Sequence, residues 1–192
     1  EYVTSIHEAA TFVPKEFARF KRLLLSKKIS LVHFQHLLGF PLALPLAASE
    51  LGIPYTITWT DYYPICQKFT LLNTMGVYCR PDQIPIETCD VCLNAARGYM
   101  RESQRARRAI VSRIMLKARR VVCLSRSQRE IISHVFPEAD DKIEVIEPLD
   151  GQVLLDDSSG ARELTGPLNV AVTGNFVKHK GADVAVYVIN YY

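Results

Sequence analysis

Five short apolar runs, residues 29–34, 53–59, 120–124, 142–146 and 168–173, constrain the fold of this chain more than any other feature. Each is rich in Val, Ile or aromatic residues and is bounded by polar or turn-forming residues, as strands are. Their apolar character is nearly continuous rather than alternating. That pattern suits strands covered on both faces, and so a parallel sheet. Helical patterns fall between the runs. Residues 15–26 carry Phe17, Phe20 and Leu24 at helical spacing behind Pro14, a residue suited to a first turn. Residues 42–51 lead to Gly52, a residue suited to a helix end. Alternating strand and helix build βαβ units, so the expected fold is α/β, a Rossmann-like parallel sheet with flanking helices.

Two stretches interrupt this rhythm. Residues 61–93 lack clear periodicity and hold Pro64, Pro81, Pro85 and four of the five cysteines. A segment that long without regular structure implies a functional loop or an internal brace. Residues 148–167 are acidic and rich in turn formers, which marks a linker. The expected organisation is an N-terminal Rossmann-like domain over 1–149, incomplete at its start, a linker over 150–167, and the truncated beginning of a second domain over 168–192. With 192 residues, the chain exceeds one average domain and falls short of two full α/β domains. It opens on Glu1, Tyr2 and Val3 without an initiator Met or a signal pattern, so it reads as an internal piece of a longer polypeptide. No apolar run is long enough to span a bilayer, and the expected location is cytoplasmic.

Charge is distributed unevenly. Residues 97–136 carry eleven basic and two acidic side chains, whereas residues 137–192 carry four basic and ten acidic ones. Residues 97–120 read as one long helix with Arg97, Arg101, Arg105 and Arg108 in a stripe, and Met100, Ile110, Val111, Ile114 and Ala118 on another face. A solvated surface helix is the ordinary reading. The alternative is a basic face lying on anionic lipid at the inner membrane face or on an acidic acceptor. No interleaved aromatic platform and no recognised motif accompanies the basic residues, so nucleic acid is not an expected partner.

Several motifs, taken in order, carry a resemblance. They are Val32-His33-Phe34-Gln35-His36-Leu37-Leu38-Gly39, then Gly52-Ile53-Pro54, Thr58 and Asp61-Tyr62-Tyr63. Val121-Val122-Cys123-Leu124-Ser125-Arg126-Ser127, Phe136-Pro137 and Lys142-Ile143-Glu144-Val145-Ile146 follow, and Gly174-Asn175-Phe176-Val177-Lys178-His179-Lys180-Gly181 closes the series. Over roughly residues 16–183 the chain resembles family 4 glycosyltransferases. The resemblance implies a retaining enzyme of the GT-B fold, in which two Rossmann-like domains face each other across a cleft. The first mostly holds a carbohydrate or lipid-linked acceptor, and the second grips a nucleotide sugar. It implies no cofactor for catalysis. The loop from Gly174 and Asn175 to Lys180 and Gly181 would then meet the donor diphosphate. A strand-to-helix turn offers free N–H groups to an anion, Lys180 adds a charge, and Gly181 permits close backbone approach. A solvated turn is the plainer reading of the same residues.

The chain also departs from its relatives. Asn175 stands where they usually carry Arg, Thr60 where they often carry His, and their Glu-x7-Glu donor motif, by the resemblance, lies further on than Tyr192. This chain alone is therefore expected to be inactive. A non-catalytic sugar- or phosphate-binding module descended from such enzymes is the alternative.

Three further groups are candidates. His33, Gln35 and His36 follow a strand end, where α/β sheets bind ligands. His33 is expected to serve the core, with contact to a sugar as its other reading, and His36 or Gln35 to contact acceptor or sugar. Asp61, at the tip of the next strand, is a candidate for binding a hydroxyl or orienting a His; turn capping is its rival role. Cys66, Cys79, Cys89 and Cys92 form C-x12-C-x9-C-x2-C, whose last pair has metal-ligand spacing. A structural zinc, two disulfides and four free thiols are its three readings, and a metal-braced interaction domain is the corresponding functional class. Cys123 reads as core. A truncated second domain would expose apolar surface, which points to association between copies.

Overall fold

The computed structural model describes residues 11–95, 103–148 and 176–191. The chain divides into two compact units, Glu1–Pro148 and Leu149–Tyr192.

The first unit is a parallel sheet of β1 (Val32–Phe34), β2 (Tyr55–Trp59), β3 (Arg120–Cys123) and β4 (Ile143–Val145), ordered as they occur in the chain. Helices α1 (Pro14–Ser26), α2 (Leu44–Glu50), α3 (Ile86–Ala95), α4 (Gln104–Lys117) and α5 (Arg126–Val135) flank it. The α/β expectation thus holds for these residues. Burial explains the continuous apolar runs: Ile57, Trp59, Val121 and Cys123 are wholly buried, as are Val111, Ile114 and Met115 of α4. Each large apolar side chain so enclosed contributes about 1.5–3 kcal/mol. Tyr55 is enclosed with them, and its hydroxyl donates to the Ile114 carbonyl at 2.6 Å, which ties β2 to α4.

Two strands begin later than the sequence suggests, for one shared reason. At the end of α1, Lys28 N–H donates to the Leu25 carbonyl and Ile29 N–H to that of Leu24. At the end of α2, Gly52 N–H donates to Ser49 and Ile53 N–H to Ala48. This paired closure with a left-handed residue is the Schellman motif. Lys28 (φ 51°) and Gly52 (φ 67°) supply that conformation. Ile29 and Ile53 therefore finish helices rather than start strands.

The expected single helix over 97–120 is corrected. The described helix spans only Gln104–Lys117, and residues 96–102, with Arg97, Met100 and Arg101, lie outside the described residues. The basic stripe is also broken. Arg105 is exposed and pairs with Glu87 at 2.6 Å, but Arg108 turns inward, its Nε donating to the Ile65 carbonyl. The neighbouring Arg107 is buried, donating to the carbonyls of Tyr63 and Pro64 with its guanidinium 4.7 Å from the Tyr63 ring. Val111, Ile114 and Ala118 do pack inward, as the spacing predicts.

The segment after β2 adds to the core. Tyr63, Ile65 and Leu71 are buried in the main core, and residues 86–95 form α3 rather than loop. Between them a tight bridge joins Leu72 to Tyr78, with the Asn73 carboxamide oxygen accepting from Met75 and Val77 N–H.

In the second unit, Lys178–Lys180 make a single 3-10 turn, Gly181 adopts a left-handed φ of 83°, and α6 (Ala182–Tyr191) follows. The expected strand 168–173 and linker 150–167 lie outside the described residues. No helix among the described residues is long and apolar enough to cross a membrane.

Candidate functional site

In a parallel sheet the carboxyl ends of all strands share one edge, and loops leaving them converge there. His36 lies just past β1 and Asp61 just past β2. His36 Nε2 stands 3.1 Å from both Asp61 oxygens. The backbone fixes which ring nitrogen carries the proton. Leu38 N–H donates to His36 Nδ1 at 2.8 Å, so Nδ1 presents its lone pair and Nε2–H donates to the carboxylate.

This arrangement assigns unequal roles. Both His36 nitrogens are engaged, so the ring has no lone pair free for a ligand. Asp61 keeps acceptor capacity: its oxygens take bonds from His36 and from Tyr63 N–H at 2.8 Å, and its side chain is 29% exposed. An ionised carboxylate accepts about four hydrogen bonds. Asp61 is therefore the group able to meet a hydroxyl, and His36, whose ring lies 5.2 Å from that of Tyr63 at a tilt of 36°, aims it. The two rival roles considered for Asp61, pairing with a His and capping a turn, coexist in one side chain.

His33 is exposed rather than a core residue. Thr58 Oγ1 lies 2.8 Å from its Nε2, and Gln35 Nε2 reaches its Nδ1 at 3.4 Å. With the Gln35 amide donating to Nδ1, Nε2–H donates to Thr58. His33, Gln35, His36 and Asp61 thus all occur along the β1 and β2 ends of the sheet. Thr60 is exposed between Trp59 and Asp61.

A residue the sequence reading passed over holds the edge together. Gln128 is buried; its amide Nε2 donates to the Trp59 carbonyl at 2.9 Å and to the Asp61 carbonyl at 3.0 Å. Its Oε1 accepts from Leu124 N–H at 2.7 Å, and its own N–H donates to Ser125 Oγ. The end of β2, the end of β3 and the first turn of α5 are joined through one side chain. Ser125-x-x-Gln128 before an apolar helix is a capping-box spacing, a signal that could have revealed it.

Cys66, Cys79, Cys89 and Cys92 line one cavity with Arg108. Burial pushes the Cys79 thiol up to about 11 and raises those of Cys66 and Cys89. No group of three or more His, Cys, Asp or Glu among the described residues is arranged to hold a metal. Cys123 is wholly buried in β3, in keeping with its reading as core.

Of the expected phosphate loop, Gly174 and Asn175 lie outside the described residues. Lys180 is exposed at the end of its single 3-10 turn, ahead of α6. Gly181 takes the left-handed turn that a glycine accepts most readily, and a side chain there would meet nothing within 4 Å.

A family model described as Glycosyltransferase Family 4 matches residues 2–148. No curated protein and no solved structure matches the chain.

Proposed function

The chain belongs to glycosyltransferase family 4, and on that premise we propose that it serves retaining transfer of a sugar from a nucleotide-sugar donor to a hydroxyl of a carbohydrate or lipid-linked acceptor. One observation supports the acceptor side: a partly exposed carboxylate, Asp61, aimed by His36 at the carboxyl edge of a parallel sheet. Asp61 accepts a hydrogen bond from a sugar hydroxyl and orients it. Gln35 and His33 extend the polar edge along which the rest of the sugar lies. A hydrogen bond to a charged group is worth roughly 1.5–3 kcal/mol, enough to select one hydroxyl among several.

On the donor side, the turn ending in Lys180 and Gly181 receives the diphosphate, with Gly174 and Asn175 contributing from the same loop. Charge develops on the departing diphosphate during transfer, so a cation and backbone N–H groups placed there stabilise the transition state. Catalysis in this scheme needs no cofactor. The donor domain begins after the linker in this reading, the first domain ending near residue 149.

Thr60 and Asn175 support a second reading, a sugar- or phosphate-binding module without catalysis. Assays of transfer and hydrolysis by the full-length protein with a panel of nucleotide sugars separate the two. Turnover with at least one donor, reduced by Lys180→Ala, is the expected result. Inactivity with every donor alongside retained sugar binding selects the binding module. Anionic lipid as a partner rests on fewer residues than the stripe suggested. Arg105 and Arg120 are paired with Glu87 and Glu144 and Arg108 faces inward, which leaves Arg113, Lys117 and Arg119 exposed.

A further inference from the structure

The segment after β2 encloses a cavity that the transfer scheme does not use. It holds about 250 Å³ and is walled by Ile65, Leu71, Leu72, Pro81, Ile84 and Leu93. Cys66, Cys79, Cys89 and Cys92 complete the wall as free thiols, and a free thiol packs as a small hydrophobe. Tyr78 and Thr88, both exposed, also line the cavity, so it opens to the surface. Protein interiors hold few voids larger than one water molecule. An apolar void of about 150 Å³ takes up benzene. By that measure this cavity has room for about ten carbon atoms.

One corner of this wall is charged. Arg108 lines the cavity from α4, half-buried. Its Nε donates to the Ile65 carbonyl at 3.2 Å, and its Nη2 reaches Cys89 Sγ at 3.7 Å. Cys89 is itself a lining residue, so the Nη edge of the guanidinium faces the cavity wall. Sulfur is a weak acceptor, and a guanidinium carries five N–H donors. No carboxylate among the described residues pairs with Arg108; Glu87 of α3 pairs with Arg105 instead. A partly desolvated cation without a counter-ion, in a lining that is otherwise neutral, favours an anion.

We propose that this cavity binds a compact amphiphile, an alkyl chain of about ten carbons whose carboxylate or phosphate head is held by Arg108. The chain fills the void against Ile65, Leu71 and Leu93. The head meets the Nη edge, whose planar fork matches the oxygens of either anion. Because Arg108 also holds the Ile65 carbonyl, four residues past Asp61, an occupant rests on the segment that carries the proposed acceptor carboxylate.

The test is binding of decanoate, decyl phosphate and decanol to the full-length protein, by calorimetry below their micelle-forming concentrations. One of the two anions should bind about ten-fold more tightly than decanol, and the tighter of them identifies the head. Cys79 and Cys92, half-buried in the lining, serve as reporters of place. Saturating ligand should slow their alkylation, followed peptide by peptide in mass spectrometry, and inorganic phosphate should not. Arg108→Leu should weaken the anions about ten-fold and leave decanol unchanged. Absence of binding by all three amphiphiles overturns the proposal, as does binding that leaves Cys79 and Cys92 equally reactive. Decanol binding as tightly as both anions overturns it too. Alkylation is read on the unmodified protein, so a variant that fails to fold does not decide the matter. Binding is measured without sugar transfer, so neither result bears on the transferase reading.

Discussion

The Gln128 carboxamide donates to the carbonyls of Trp59 and Asp61 and accepts from Leu124 N–H, so three backbone groups depend on it. Gln128→Leu should destabilise the chain by about 2–4 kcal/mol, since each buried group left unpaired costs about 1–3 kcal/mol and the Asp61 end is reachable by water. A lower urea midpoint at unchanged slope would show it; an unchanged midpoint would show that the clamp carries no weight. The same clamp marks a limit of sequence reading at this scale. His36 and Asp61 are found by counting to the ends of two apolar runs. Their mutual bond, and the proton placement it imposes, depend on a register that pairs Phe34 with Ile57, which no local pattern records. The expected core role of His33 failed because β1 lies at the sheet margin, where a side chain on the open face meets solvent.

At the scale of elements, strand interiors were legible because burial on both faces demands continuous apolar residues. Their starts were not, because Ile29 and Ile53 are as apolar as strand residues while serving helix ends. Gly52 advertises its closure; Lys28 does not, being a lysine in a left-handed conformation. Lys28→Gly should therefore stabilise the chain by about 0.5–1 kcal/mol, offset in part by the greater freedom of glycine when unfolded. A melting temperature that falls instead would contradict the cap. The central strand β3 gives a second expectation. Burial pushes the Cys123 thiol up from its ordinary 9.0 to about 12, so the folded chain holds that proton more tightly than the unfolded one. The resulting stability is complete below pH 9 and lost as pH rises towards 12. Melting should decline over that interval, less steeply in Cys123→Ala. The basic stripe differs from its sequence reading because arginines at helical spacing look alike whether solvated or, like Arg108, turned inward to satisfy a carbonyl.

Across the whole molecule, the family match rests on the first unit, residues 2–148, and the proposed acceptor residues, His33, Gln35, His36 and Asp61, lie within it. The proposed phosphate loop belongs to the second unit, of which residues 176–191 are described. The two halves of the proposed chemistry thus call for separate tests. Lys180→Ala should weaken nucleotide-sugar binding by about ten-fold, the value of one charge-assisted contact, and leave sugar-acceptor binding alone. Equal donor affinity in both proteins would remove Lys180 from the site. The acceptor half is tested most directly by Asp61→Asn, whose amide oxygen can still accept from Tyr63 and His36 while the charge is gone. With fold and melting preserved, kcat/KM for transfer by the full-length protein should fall about ten-fold or more. Transfer at the unmodified rate would contradict the assignment of this carboxylate as the group that receives the acceptor hydroxyl.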